Sequence, residues 1–382
     1  MPAGSAKSYA PHIQLVVKIS KYCNLRCRYC YEYDELGNKA RMPLESLRKL
    51  FLNVRDAIEQ EKISGIEFVW HGGEPFLIPI SYYIEIGKLQ KDLFRSPENY
   101  RNVVQTNLTV LTDAHIDFLK YGGFFDNIGV SFDVFGDQRV DKLGSLRNDT
   151  VLANLQKLID NNINFAAITV LCRDTYLHTR KIQRFWEELG VRFRFLPFHL
   201  SIDDEQSAQH GLLGSEQVAA LNQCFLDWLS SEDAVHIDPL HEYIGYALDY
   251  MAGGSKAVYD PDENESVFIA NTNGDISGVG QGELYSPELC YGNIFQSSLV
   301  DILVSQQRKR AISLALLRMR KYCKQCPYFG HCPGHHVAVS SKEDLAILED
   351  NGCTIRHVVG FIEDTLNLSD IGHELKRRMN EL

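Results

Sequence analysis

The chain has 382 residues, 45% of them hydrophobic and 23% charged, with a net charge of −11, a composition that suits one large globular domain plus a smaller one. No run of about 18 apolar residues occurs, so no membrane-spanning helix is expected, and the acidic balance disfavours nonspecific nucleic-acid binding, with the basic runs 308–310 and 318–321 read as solvated helix faces. Residues 1–11 hold no apolar secretion segment, so the ten cysteines read as metal or cluster ligands kept reduced in the cytoplasm.

After an N-terminal extension (1–12), the β-branched run 13–20 predicts a strand, and the triplet Cys23-Asn-Leu-Arg-Cys27-Arg-Tyr-Cys30 lies on the loop that leaves it. Three thiolates this close suit an iron-sulfur cluster that keeps one iron without a protein ligand, or a zinc site that lacks a fourth donor. In α/β barrels the loop after a strand is the catalytic end. Helical spacing then covers 44–61, and a second strand over 65–70 runs into His71-Gly72-Gly73-Glu74-Pro75, where two glycines allow close approach of a ligand and Glu74 can accept from an ammonium group. A helix over 80–94 leads to a strand at 102–105 ending in Gln105-Thr-Asn107, and a helix over 112–121 to a strand at 127–132 ending in Ser131-Phe-Asp133. Arg139 follows, able to pair with a carboxylate in bidentate fashion or to stand solvated on a loop. Helices at 150–161 and 178–189 alternate with strands at 165–171 and 192–197. Six strand–helix repeats without a hairpin signal give an α/β class with parallel strands and right-handed crossovers.

Residues 200–259 read as a helical bridge containing a capped helix at 215–229. The segment 260–354 is poor in periodicity and rich in Gly, Asn and Pro, so ligands to a metal or cluster are expected to hold it. It carries Cys323-Lys-Gln-Cys326, Cys332 and Cys353, enough thiolates for a closed cluster or for structural zinc. Cys290 is an additional ligand or a free thiol, and Cys172 and Cys224 read as small buried side chains. A final helix begins near residue 355 and closes the segment 355–382.

The C-x3-C-x-aromatic-C pattern, with Tyr29 as the aromatic residue, resembles the radical S-adenosylmethionine (SAM) enzymes. The resemblance implies a partial (β/α)6 barrel over 13–199, with Cys23, Cys27 and Cys30 holding a [4Fe–4S] cluster whose open iron chelates SAM. Reductive cleavage of SAM to methionine and a 5′-deoxyadenosyl radical would follow. It further implies that Gly72, Gly73 and Glu74 meet the SAM amino group, and that Gln105, Asn107, Ser131 and Asp133 surround its ribose and methionine parts. Arg139 would meet the carboxylate, with Leu171 and Leu196 beside the adenine. Leu108 and Val134 stand where relatives commonly have glycine.

The later cysteines resemble the SPASM domain, whose pattern is C-x2-C-x5-C-x3-C with a later cysteine. Here His336 replaces the fourth cysteine, and 268–275 lacks the upstream cysteines of a second auxiliary cluster. The expectation is therefore one auxiliary [4Fe–4S] cluster on Cys323, Cys326, Cys332 and Cys353. The segments 273–276 and 290–295 resemble, more loosely, the cyclophane-forming peptide maturases, which crosslink an aromatic ring to an aliphatic carbon of a ribosomally made precursor peptide. Their partners would be that peptide and an electron donor such as flavodoxin or ferredoxin. Candidates for a proton acceptor are His335, His336, Asp275 and Glu283. Alternatives are formylglycine formation on sulfatases, thioether formation, and a non-catalytic iron-sulfur electron-transfer protein.

Overall fold

The computed structural model describes residues 10–198, 209–254, 259–278, 290–334 and 352–368. His335, His336 and Glu283 lie outside the described residues.

Six strands follow one another in parallel: β1 (His12–Ser20), β2 (Gly65–Gly72), β3 (Tyr100–Thr106), β4 (Asn127–Ser131), β5 (Ala166–Leu171) and β6 (Phe193–Pro197). Helices α1 (Leu44–Glu59), α2 (Ile80–Leu93), α3 (Asp113–Tyr121), α4 (Asn148–Asp160) and α5 (Thr179–Glu188) connect them. After α6 (Gly214–Ser230), the short β7 (Ile237–Asp238) pairs in parallel with β6. Two helices come next, α7 (Leu240–Met251) and α8 (Pro261–Asn264). The sheet also grows beyond its first strand: β8 (Val267–Ala270) pairs in parallel with β1, and β9 (Asp275–Gly278) and β10 (Gly292–Asn293) add antiparallel strands outside it. The last helices among the described residues are α9 (Leu299–Leu303), α10 (Gln306–Lys321) and α11 (Thr354–Asn367).

Side-chain alternation sorts the two faces of this sheet. In β1, Ile13, Leu15, Val17 and Ile19 are buried in the main core with the apolar stripe of α1, which is Leu47, Leu50, Phe51, Val54 and Ala57. Gln14, Val16, Lys18 and Ser20 therefore occupy the opposite, inner face. Across that face Gln14 donates to Glu67 at 2.5 Å, Lys18 stands in register with His71, and Gln105 donates to Ser131 at 2.7 Å. Local signals set the helix starts: α1 begins after Pro43, and a reciprocal cap between Thr112 and His115 opens α3.

Trp70 is fully buried among Phe51, Phe68, Tyr83 and Phe124, and its indole N–H donates to Asn102 at 2.9 Å. Trp70→Ala is expected to cost about 3–5 kcal/mol of stability, read as a lowered denaturant midpoint in anaerobic unfolding. An unchanged midpoint would contradict this packing.

The basic runs do not lie wholly in solvent. Arg308 is 7% exposed and donates to the Leu303 carbonyl and to Asp262, while Arg318 is 1% exposed. Partners distant in sequence bury these charges within α10, so the expectation of solvated faces fails at both positions. Cys172 and Cys224 are buried as expected. Among the described residues no helix is long and apolar enough to cross a membrane.

Candidate active site

The loop after β1 folds the cysteine triplet around a small apolar nucleus. Cys23, Leu25 and Leu36 are buried, with Cys27 and Cys30 packed against them. Backbone bonds fasten the loop on two sides: Cys23 N–H donates to the Leu36 carbonyl at 3.1 Å, while Arg26 and Arg28 donate to the carbonyls of Val140 and Gln138 at 2.7 and 3.0 Å. Burial pushes the thiols of Cys23 and Cys30 up to about 12, so in the ligand-free protein they hold their protons. A metal centre binding there must displace those protons.

The end of β2 packs directly on this loop. Gly73 N–H donates to the Ser20 carbonyl at 2.8 Å and Glu74 N–H to that of Tyr22 at 2.9 Å. Gly72 has φ +124°, and a Cβ there would stand 2.0 Å from the Ser20 oxygen; a Cβ on Gly73 would stand 2.1 Å from the Tyr22 oxygen. Glycine is thus required at both positions by backbone contact. Glu74 is 2% exposed. It accepts from Phe76 N–H at 2.8 Å, the Thr106 hydroxyl at 2.7 Å and Asn107 N–H at 2.7 Å. Burial raises its pKa to about 7 despite those bonds. Three of about four acceptor positions are used, which leaves room for one further donor, and a cationic one would favour the ionised form.

The loop after β4 brings a second buried network. Asp133 accepts from Tyr29 Oη and from Val170 N–H at 2.8 Å, and pairs with Arg139 Nε at 3.0 Å. Arg139 is 7% exposed and faces the Tyr29 ring, so it is not a solvated loop charge. Asp133, expected beside SAM, takes these protein donors and positions Tyr29 and Arg139. Asn107 joins the triplet, its amide 3.6 Å from Cys23 Sγ and 3.2 Å from Asn24 Oδ1. Ser131 and Gln105 lie together on the inner face. Leu196 is 42% exposed. The Leu171 side chain is fully buried in the main core because it points to the helix side of β5, so the expected adenine contact by that side chain does not arise; Ile168 and Val170 occupy the inner face there.

Two inner-face groups escaped the sequence reading. Lys18 pairs with Glu32 and lies 4.9 Å from the Tyr31 ring. Burial opposes its charge, but Tyr31 and Glu32 outweigh burial and hold its pKa above the ordinary value. His71 is held neutral by burial, its pKa lowered to about 4, and its Nδ1 accepts from Gly72 N–H at 2.7 Å. A lysine at an inward position of a strand rich in Ile, Leu and Val was the available signal.

Far along the chain, Cys323, Cys326, Cys332 and Cys353 line one cavity of about 160 Å³ together with Arg318. Cys290 is not among its lining residues, and its thiol lies 3.7 Å from the Gly292 carbonyl. Asp275, a candidate proton acceptor, is tied into a turn, accepting from the side-chain amides of Asn273 and Asn293 at 2.8 Å each. That engagement gives it a structural task in the turn.

Among the described residues, no three Cys, His, Asp or Glu side chains converge as a single metal ion requires. Each cysteine set gathers thiolates in the number a [4Fe–4S] group takes, three around a cluster that keeps an open iron and four around a closed one.

Residues 17–185 match the model of the radical SAM superfamily. The serine-type anaerobic sulfatase-maturating enzyme of Bacteroides thetaiotaomicron is 24% identical over 354 residues, spanning 86% of this chain and 84% of that protein. The cysteine-type enzyme of Clostridium novyi is 28% identical over 226 residues, spanning 56% of this chain and 59% of its own. The structure of anSMEcpe with bound AdoMet and Cp18Cys peptide superposes with a TM-score of 0.74 at 19% identity, covering 97% of this chain and 99% of that one. Streptococcus suis SuiB bound to its precursor peptide SuiA gives 0.57 at 15% identity, covering 87% and 74%. At these identities the two structures speak for the fold. The chain carries a radical SAM domain, and with it the use of SAM and [4Fe–4S] cofactors.

Proposed function

We propose that this radical SAM enzyme acts on a ribosomally made precursor peptide and joins an aromatic ring to the β-carbon of a nearby residue. The observation that carries the reading is the single cavity lined by Cys323, Cys326, Cys332 and Cys353, which suits one closed auxiliary cluster able to take an electron but not to bind substrate. In this reading residues 13–199 form the catalytic barrel, 200–259 the bridge, 260–354 the auxiliary domain and 355–382 the closing helix, with a flavodoxin- or ferredoxin-type donor in the cytoplasm. Formylglycine formation is the second reading, favoured by the likeness to a sulfatase-maturating enzyme over 86% of this chain.

Cys23, Cys27 and Cys30 would hold the SAM-binding cluster, with Asn107 against Cys23. Together cluster and SAM supply a radical that removes hydrogen from an unactivated carbon. Glu74 would accept from the SAM ammonium, Arg139, held by Asp133, would meet the carboxylate, and Ser131 with Gln105 would serve the ribose. Lys18 and His71 stand in register on the inner face beside this group. The protein's work is to orient these groups and exclude water.

Anaerobic co-expression with a candidate precursor, followed by tandem mass spectrometry, tests the proposal. Loss of two hydrogens, with backbone fragments missing between an aromatic residue and its partner, is the expected result. A product that a hydrazide reagent captures as an aldehyde would establish formylglycine and overturn the crosslinking reading.

Glu74→Gln is expected to weaken SAM binding by roughly tenfold or more, since a hydrogen bond to a charged group contributes about 1.5–3 kcal/mol. Only the ionised carboxylate pairs with the ammonium. With its pKa raised to about 7, affinity in the parent enzyme should rise between pH 6 and pH 8, and the variant should lose that slope. Anaerobic equilibrium dialysis reads both, and a parent profile flat across this range would contradict the assignment.

A further inference from the structure

The cavity lined by the four later cysteines holds one feature that ligation does not need: a buried positive charge. Arg318 is 1% exposed, on the inward side of α10 with Ala311, Ala315 and Met319. Its guanidinium borders the same cavity as Cys323, Cys326, Cys332 and Cys353. Gly334 borders both groups: the position a Cβ would take there stands 3.7 Å from an Arg318 Nη and 3.9 Å from Cys323 Sγ. Glu265, whose carboxylate accepts from the Tyr259 hydroxyl at 2.9 Å, is the countercharge that acts on the guanidinium beside the thiols. A second arginine of the lining, Arg356, is exposed, so water and salt screen its charge.

An arginine keeps its charge even when buried, and a charge in a poorly polarisable interior acts strongly on its neighbours. Taking up one electron adds one negative charge to a cluster that four thiolates already make anionic. Local net charge and burial are two of the levers by which a protein sets a cluster's potential. We propose that Arg318 is a redox-setting residue: its buried guanidinium raises the reduction potential of the [4Fe–4S] cluster held by Cys323, Cys326, Cys332 and Cys353. The inference rests on the proposed auxiliary site and deepens it. In the crosslinking reaction the electron that leaves the ring radical, with a proton released to solvent, is the one this cluster accepts, and a raised potential favours that transfer.

The test is a redox titration followed by electron paramagnetic resonance on reconstituted full-length protein in which Cys23, Cys27 and Cys30 are alanine, so that only the auxiliary signal remains. Arg318→Met is expected to lower the midpoint enough to change the reduced-to-oxidised ratio tenfold at fixed potential, about 59 mV for one electron. Arg318→Lys should restore most of the shift, and Arg356→Gln, which removes an exposed charge from the same lining, should move the midpoint far less. An unchanged midpoint in Arg318→Met with iron retained, or an equal shift in Arg356→Gln, overturns the proposal. So does loss of auxiliary iron in both Arg318 variants, which would make the residue one of assembly. If only Arg318→Met loses iron, Glu265→Gln carries the test: removing the countercharge must raise the midpoint, and no rise overturns it. The titration contains no peptide, so its outcome is separate from the mass-spectrometric test of the crosslink.

Discussion

Cys27→Ala is expected to abolish reductive SAM cleavage, lowering 5′-deoxyadenosine formation by roughly 10³-fold or more, equivalent to about 4 kcal/mol of lost transition-state stabilisation. Cys27 is the middle cysteine of the triplet, proposed as a cluster ligand, and packs with Cys30 against the nucleus of Cys23, Leu25 and Leu36. Two remaining thiolates leave two irons of the cluster without protein ligands, so the site that chelates SAM is no longer defined. Iron analysis should fall from two clusters per chain to one, because the cavity of Cys323, Cys326, Cys332 and Cys353 is built from other elements. Cys224→Ala is the matched control: Cys224 is buried in the main core within α6, so its loss should cost stability and leave SAM cleavage in place. Wild-type 5′-deoxyadenosine yields from Cys27→Ala would refute the ligand assignment. An iron count that matches three clusters in the parent protein would refute the single auxiliary cluster.

The alternating part of the fold was legible because each element carries its own signals. Apolar stripes, caps and short β-branched runs mark β1–β6 and α1–α5 to within a few residues, and all of these are local. What stayed hidden depends on contacts distant in the chain. The two-residue β7 has no periodicity to read, and β8 becomes a neighbour of β1 only through a pairing of Gln14 with Val267 across about 250 residues. The surroundings of the arginines stayed hidden for the same reason. Arg139 is buried by Asp133 and Tyr29, Arg308 by Asp262 and the carbonyls of Pro261 and Leu303, and neither environment is visible in flanking residues. At the candidate site the motif positions were legible, but the partners of Glu74 were not: Thr106 and Asn107 arrive from the end of the next strand. Asp133 shows the opposite case, a strand-end carboxylate whose position suggests ligand contact while protein donors occupy it.

Gly73→Ala tests that geometry most severely. The glycine is not needed for an unusual backbone conformation but for space, since a methyl group would overlap the Tyr22 carbonyl oxygen at 2.1 Å and its carbon at 2.3 Å. Neither partner can yield as a flexible side chain does, because Tyr22 immediately precedes Cys23 and the hydrogen bond from Glu74 N–H ends on that same carbonyl. Inserting one methyl into a packed interior costs about 1–3 kcal/mol when side chains can adjust; here the backbone must move, and it carries Cys23 on one side and Glu74 on the other. The variant should therefore keep the core built on Trp70 and Phe51, bind less iron at the triplet, and lose SAM cleavage roughly 10²-fold or more, as misplacements of about 1 Å do in positioned active sites. Auxiliary iron should stay. Anaerobic iron analysis with near-ultraviolet circular dichroism separates this outcome from general unfolding. A variant with full triplet iron and parent-like SAM cleavage would show that the contact between the end of β2 and the cysteine loop does not position the site.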